Sequence, residues 1–248
     1  MEAGIPDPYP GVSFKDHKIN NDGVTARVFR RKDLESLTST DGTKAPLFLI
    51  FHGGGFSLGS HYTEVVLIKV ATSLGFVVVS IDYRRVPESR FPGPFDDCFE
   101  GLLWTIKNGS RFGGDVSKIF IGGSSAGANL ATAVTLKARD EAMKEIKGQI
   151  LLIPNTCHYR YHPKDKYELE SLHSEGDQLG ISGEAIKYIW DEYAPDQGAN
   201  PYVSPLLAES HANLPPTYIQ VAGGDVLRDE GIAYAEALKA AGCVILSS

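Results

Sequence analysis

A serine hydroxyl attacks a carbonyl only with help: a base to take its proton, a carboxylate to orient that base, and N–H donors to meet the oxyanion that forms. The stretch KIFIGGSSAGAN, Lys118 to Asn129, offers such a serine, because Gly123-Ser124-Ser125-Ala126-Gly127 is a G-x-S-x-G pattern. A serine in that pattern occupies a sharp strand-to-helix corner with its hydroxyl exposed, and the glycines on either side are needed because side chains there would strike the neighbouring strand and helix. By itself the pattern arises by chance roughly 0.2 times in a chain of this composition, and Gly55-Phe56-Ser57-Leu58-Gly59 matches it as well. Only Ser125 lies directly between an apolar strand (Ile119, Phe120, Ile121) and a helical pattern, which reads as opening at Asn129. Ser125 is therefore the candidate nucleophile.

Two of its three supports can be placed. His52-Gly53-Gly54-Gly55 follows an apolar strand, and its unhindered amides can face an oxyanion together with the N–H of Ala126, the residue after the nucleophile. Gly223-Gly224-Asp225 follows the strand at 217–221, at the carboxyl end where α/β sheets place reactive groups, so Asp225 is the candidate orienting carboxylate. Asp229 and Glu230 compete with it, and a helix-capping aspartate is the simpler alternative.

These residues need elements to hold them. Val12–Ile19 and Val24–Phe29 flank Asn20-Asn21-Asp22-Gly23, a strand–turn–strand signature expected to form an antiparallel edge hairpin. PLFLIF (46–51), FVVVSI (76–81), the Ser125 strand, QILLI (149–153) and TYIQV (217–221) are apolar runs of the kind buried on both faces of a parallel sheet. Helical spacing separates them at 64–74, 96–106 and 230–241, which predicts strands and helices in alternation, an α/β fold of mostly parallel sheet covered on both faces. About sixty residues between 153 and 217 carry no strand of their own. They hold Tyr159, Tyr161, Tyr167, Tyr188, Trp190 and Tyr193 and a helix expected near Ser182. Such an insertion reads as a lid, its aromatics either lining a pocket or packing the lid onto the sheet.

Composition narrows the function. With 248 residues, 42% hydrophobic, the chain can bury one sizeable core, and its formal charge of −7 argues against nucleic acid or an anionic membrane as partner. The expected partner is a neutral small molecule. Three scattered cysteines, Cys98, Cys157 and Cys243, suit neither a disulfide framework nor a zinc site, and no metal or organic cofactor is implied. The N-terminal MEAGIPDPYP has no apolar leader core and no run approaches the length of a membrane span, so a cytoplasmic protein is expected.

The sequence resembles the hormone-sensitive-lipase-like branch of the α/β-hydrolases, which includes carboxylesterases and the plant gibberellin receptors. HGGGF at 52–56, DYRRVPE at 82–88, GGSSAGAN at 122–129 and GGDVLRDEG at 223–231 carry the resemblance, which spans roughly 46–242. It implies an α/β-hydrolase fold with Ser125 as nucleophile, Asp225 as triad acid and Gly53, Gly54 and Ala126 as oxyanion donors. It also implies a single domain over 1–248, capped by elements at approximately 1–40 and 155–210, acting on a small-molecule carboxylic ester, with a role in specialised-metabolite biosynthesis as one extension. Ser124 departs from the family's usual Asp and Val226 from its usual Pro. The family's histidine follows the last strand, whereas here no histidine follows His211 and Ser248 lies inside what reads as that strand, so the His-bearing segment is expected to be absent from this chain. His211 is the remaining alternative base by geometry. A catalytically silent ligand-binding relative and a truncated gene product are the alternative readings, and oligomeric state is left open.

Overall fold

The computed structural model describes residues 9–35, 44–174 and 181–248. Its strands are β1 (Val12–Lys18), β2 (Thr25–Arg31), β3 (Ala45–Phe51), β4 (Val77–Asp82), β5 (Gly114–Ser124), β6 (Ile146–Leu152), β7 (Thr217–Gln220) and β8 (Ile245–Ser247). The helices are α1 (Lys32–Glu35), α2 (Val65–Ser73), α3 (Gly93–Asn108), α4 (Ala126–Asp140), α5 (Ser171–Ser174), α6 (Gly183–Tyr193) and α7 (Arg228–Ala240). The strands make one sheet in the order β1-β2-β4-β3-β5-β6-β7-β8. The β1–β2 hairpin is antiparallel, β2 meets β4 antiparallel, and every later pairing is parallel.

Residue type accounts for these places. Leu47 to Phe51 of β3 are buried throughout, as an apolar run at the middle of a covered sheet must be. In β1 the exposed Lys15 and Asp16 mark a solvent-facing edge, and the Asn20 side chain closes the hairpin by accepting from the Asp22 and Val24 amides at 3.0 and 3.3 Å. The described part of the N-terminal segment is thus largely sheet; residues 1–8 and 36–43 lie outside the described residues. α3 begins at Gly93, earlier than its apolar spacing suggests, because Pro94 falls in the first turn, where its missing N–H costs nothing. β5 extends back to Gly114, through a register shift near Ile119 that a polar sequence conceals.

Topology singles out one place on this sheet. From β3 the chain passes through α2 to β4 on one side, then through α3 to β5 on the other, so the strand order reverses between β3 and β5. Ligands of open α/β sheets bind at the carboxyl ends of strands at such a reversal. Phe51 of β3 pairs with Gly123 of β5, so the His52 loop and the Ser125 corner leave the sheet side by side.

The insertion between β6 and β7 folds back over this end. Ser182 caps α6 by accepting from the Ala185 amide at 3.2 Å, as its sequence suggests. Trp190 and Tyr193 are fully buried, and Tyr193 stacks on Phe56 of the glycine loop with ring centroids 3.7 Å apart. Those two aromatics pack the lid down, while Tyr161 and Tyr188 stay exposed.

Candidate active site

Ser125 has φ 50° and ψ −120°, backbone that a residue with a Cβ adopts only when its surroundings enforce it. The enforcement comes from both sides: its N–H donates to Leu152 O on β6 at 2.9 Å, and its C=O accepts from the Asn129 amide at 3.0 Å as α4 begins. The helix opens at Ala126 rather than Asn129, directly after the serine. A Cβ on Gly127 would stand 2.1 Å from Phe51 O, and one on Gly123 2.3 Å from the same atom. Both glycines are therefore there for space. The Ser125 side chain is partly exposed, with no hydrogen-bond partner among the described residues. Ser57, the other match, sits exposed in a turn.

In the adjoining loop Gly54 and Gly55 have φ of 116° and 59°, and a Cβ on Gly54 would meet Leu58 O at 2.3 Å. Gly53 O is bonded to His52 Nδ1 at 2.9 Å, and because a trans peptide opposes its C=O and N–H, the Gly54 N–H points the other way. Among the described residues the amides of Gly54, Gly55 and Ala126 have no protein acceptor, the last as one of the orphan donors at a helix start. Gly53, expected among the oxyanion donors, is instead committed: its N–H donates to Glu64 Oε1 at 2.9 Å.

The DYRRVPE segment braces this loop from behind. His52 is buried, stacked on Tyr83 with centroids 4.2 Å apart, and its backbone C=O accepts from Tyr83 Oη at 2.7 Å. His52 Nε2 lies 3.5 Å from Asp82 Oδ1, which Arg85 also grips. Burial pushes the Asp82 carboxyl up, but the bonds from His52 and Arg85 outweigh it and hold it down at about 2.

Asp225 is buried beyond the end of β7, and its Oδ1 accepts from the Leu227 amide at 2.9 Å. Burial raises its pKa, opposed by that amide, with the Glu230 charge adding to the rise. Both competitors have other duties. Asp229 accepts from the Glu170 and Ser171 amides at 2.9 and 2.7 Å, and Glu230 from those of Thr156 and Cys157 at 2.7 and 3.1 Å, so they fasten the insertion to the start of α7. None of the seven histidines is bonded to Ser125 or Asp225 among the described residues. His211 is occupied with Pro205 O at 2.9 Å, His162 with Glu230 at 3.2 Å, and His61 between Thr25 and Ser80. Sequence reading missed Glu64 and the bracing role of Asp82; the short distance from HGGG to the acidic Glu64 was the available signal.

A family model described as the alpha/beta hydrolase fold matches residues 48–245. The chain belongs to this family. Within it the chain sits in the hormone-sensitive-lipase-like branch. Esterase LipI of Mycobacterium tuberculosis H37Rv is 35% identical over 209 residues, covering 83% of this chain and 63% of LipI. Versiconal hemiacetal acetate esterase of Dothistroma septosporum is 35% identical over 230 residues, 89% of this chain and 67% of that protein. Among solved structures, vibralactone cyclase superposes with a TM-score of 0.86 at 32% identity, over 96% of this chain and 71% of the other. A bacterial heroin esterase gives 0.83 at 32%, over 96% and 74%. The chain thus spans about two thirds of the length of these curated relatives. No helix among the described residues is long and apolar enough to cross a membrane.

Proposed function

We propose that this protein hydrolyses a small, neutral carboxylic ester through an acyl-Ser125 intermediate. The observation that supports it most is the left-handed Ser125 at the β3–β5 reversal, its hydroxyl and the amides of Gly54, Gly55 and Ala126 without a protein partner among the described residues. Ser125 Oγ attacks the ester carbonyl, those amides stabilise the oxyanion, the alcohol leaves, and water then cleaves the acyl-enzyme. The serine's proton must pass to a base, which the carboxylate of Asp225 would orient and, once charged, stabilise. Among the described residues no histidine is hydrogen-bonded to Ser125 or Asp225.

Size and charge bear on the substrate. A cleft of about 120 Å³ opens beside the glycine loop, lined by Gly55, Ser57, Val86, Pro87, Tyr188, Ile189 and Glu192, with room for no more than a short acyl or alkoxy group. The relative named for versiconal hemiacetal acetate favours an acetate ester of a specialised metabolite. The test is labelling with a fluorophosphonate followed by peptide mapping. Label on Ser125, lost in Ser125→Ala and kept in Ser57→Ala, is the expected result; label on Ser57, or none on any serine, rejects the assignment.

A further inference from the structure

The oxyanion cradle is made by two separate pieces of chain, the loop after β3 and the corner after β5. Amides must lie within about half an ångström of the productive position for such a cradle to work, so something must hold the two pieces in register past their last paired residues, Phe51 and Gly123. Glu64 stands at that joint. Its Oε1 accepts from the Gly53 amide at 2.9 Å and from Ser124 Oγ at 2.5 Å, one carboxylate oxygen bonded at once to the loop and to the residue before the nucleophile. The two backbones are close there: a Cβ on Gly53 would fall 2.8 Å from Ser124 Oγ and 2.9 Å from Ser124 O.

Glu64 is an unusual residue for a purely packing role. It is buried at 7% exposure, yet among the described residues no lysine or arginine pairs with it. It directly precedes α2, where a capping side chain would bond its own helix, but it makes no such bond and turns to the loop instead. A buried carboxylate costs free energy unless it is hydrogen-bonded, and charge-assisted bonds are about twice as strong as neutral ones. The expenditure is concentrated on Gly53 and Ser124.

We infer that Glu64 is a positioning residue for ester hydrolysis: by clamping Gly53 to Ser124 it aims the Gly54 and Gly55 amides at the carbonyl attacked by Ser125. This rests on the hydrolase reading above. Its consequence is specific. Loosening the clamp lowers kcat, because oxyanion stabilisation is realised in the transition state, and leaves KM nearly unchanged.

The experiment is steady-state hydrolysis of p-nitrophenyl acetate by the 248-residue chain, with Ser125→Ala as background, together with glycine-selective ¹⁵N NMR. Glu64→Ala is expected to lower the Ser125-dependent kcat by about 10- to 100-fold with KM within about threefold, less than the 10²–10³ of deleting a donor outright. Glu64→Gln, which keeps an acceptor oxygen, should recover most of that loss, and Ser124→Ala should show a smaller loss that vanishes in a Glu64→Ala background, since both remove one joint. In the spectra of Glu64→Gln and Ser124→Ala, variants mild enough to fold, the Gly54 and Gly55 amide signals should move while those of Gly11 and Gly242 do not. A kcat within twofold of the parent in Glu64→Ala, or a rise in KM alone, overturns the inference. If the parent shows no Ser125-dependent turnover, the hydrolase reading fails by itself, and the spectra decide: unmoved Gly54 and Gly55 signals end the clamp, moved ones uphold it.

Discussion

At the scale of single residues, burial decides which groups are free to react. Among the described residues Ser125 Oγ and the amides of Gly54, Gly55 and Ala126 have no protein partner, whereas most polar groups around them do. His61 shows the cost of that arrangement. It is buried between Thr25 and Ser80, and burial holds its imidazole neutral down to about 4, the nearby Asp82 charge opposing and Arg27 assisting. The unfolded imidazole titrates near 6.5, so between that pH and 4 the unfolded chain binds a proton the folded chain refuses. Stability should therefore fall as pH drops through this window, by about 3 kcal/mol for one such group. His158, also pushed by burial to about 4, acts in the same direction. Thermal melts between pH 7 and 4.5 should show Tm declining, and His61→Gln should flatten part of the decline. An unchanged slope in that variant would mean that His61 is not what the acid attacks.

At the scale of elements, the corner between β5 and α4 depends on missing side chains. With Phe51 O only 2.1 Å from where a Cβ would stand, Gly127→Ala must push α4 away from β3 or shift the Ser125 backbone. Overpacking of this kind costs about 1–3 kcal/mol. Gly127→Ala should therefore lower Tm and abolish phosphonate labelling together, while Gly242→Ala, with nothing within 4 Å but φ at 79°, should lower Tm and leave labelling alone. Equal labelling in both variants would contradict the space argument. The lid makes a different prediction. Tyr188 is 67% exposed and lines the small cleft, so Tyr188→Ala should leave Tm nearly unchanged and shift hydrolysis from acetate toward hexanoate p-nitrophenyl esters. An unaltered acyl-length profile would show that this cleft does not receive the acyl chain.

At the scale of the whole molecule, two features lie at the β8 side of the sheet. Val244 and Leu246 are 62% and 66% exposed, and on the other face a groove of about 510 Å³ runs between α7 and β7–β8, lined by Ile219, Val221, Ala235 and Ile245. An apolar strand at a sheet edge invites pairing with another chain. The 248-residue protein should associate in sedimentation experiments, and Leu246→Lys should reduce that association; a monodisperse parent would refute it. The second feature is that no histidine is hydrogen-bonded to Asp225 among the described residues. In subtilisin, loss of the histidine lowers kcat about 10⁶-fold and leaves roughly 10³–10⁴ over water. Ser125-dependent turnover of the 248-residue chain should lie several orders of magnitude below ordinary esterase rates, and a graft of a family-type strand, His-bearing loop and helix after Ala241 should raise it by a comparable factor. Ordinary esterase rates in the ungrafted chain, lost in Ser125→Ala, would show that another base serves.

What the sequence determined by itself was set by local rules. Apolar runs at strand length, glycines at the corner and Ser182 at a helix start specify elements and name Ser125, because each signal depends on neighbours a few residues away. The tertiary structure decided what depends on contacts across the chain. That Gly53's amide belongs to Glu64, that Asp229 and Glu230 hold the lid while Asp225 accepts from the Leu227 amide, and that Tyr193 packs on Phe56 while Tyr188 faces solvent follow from which segments lie side by side. A backbone amide has no letter in a sequence. Whether it meets a carboxylate or a substrate is fixed only when β3 and β5 pair and bring the segments after them within hydrogen-bond reach.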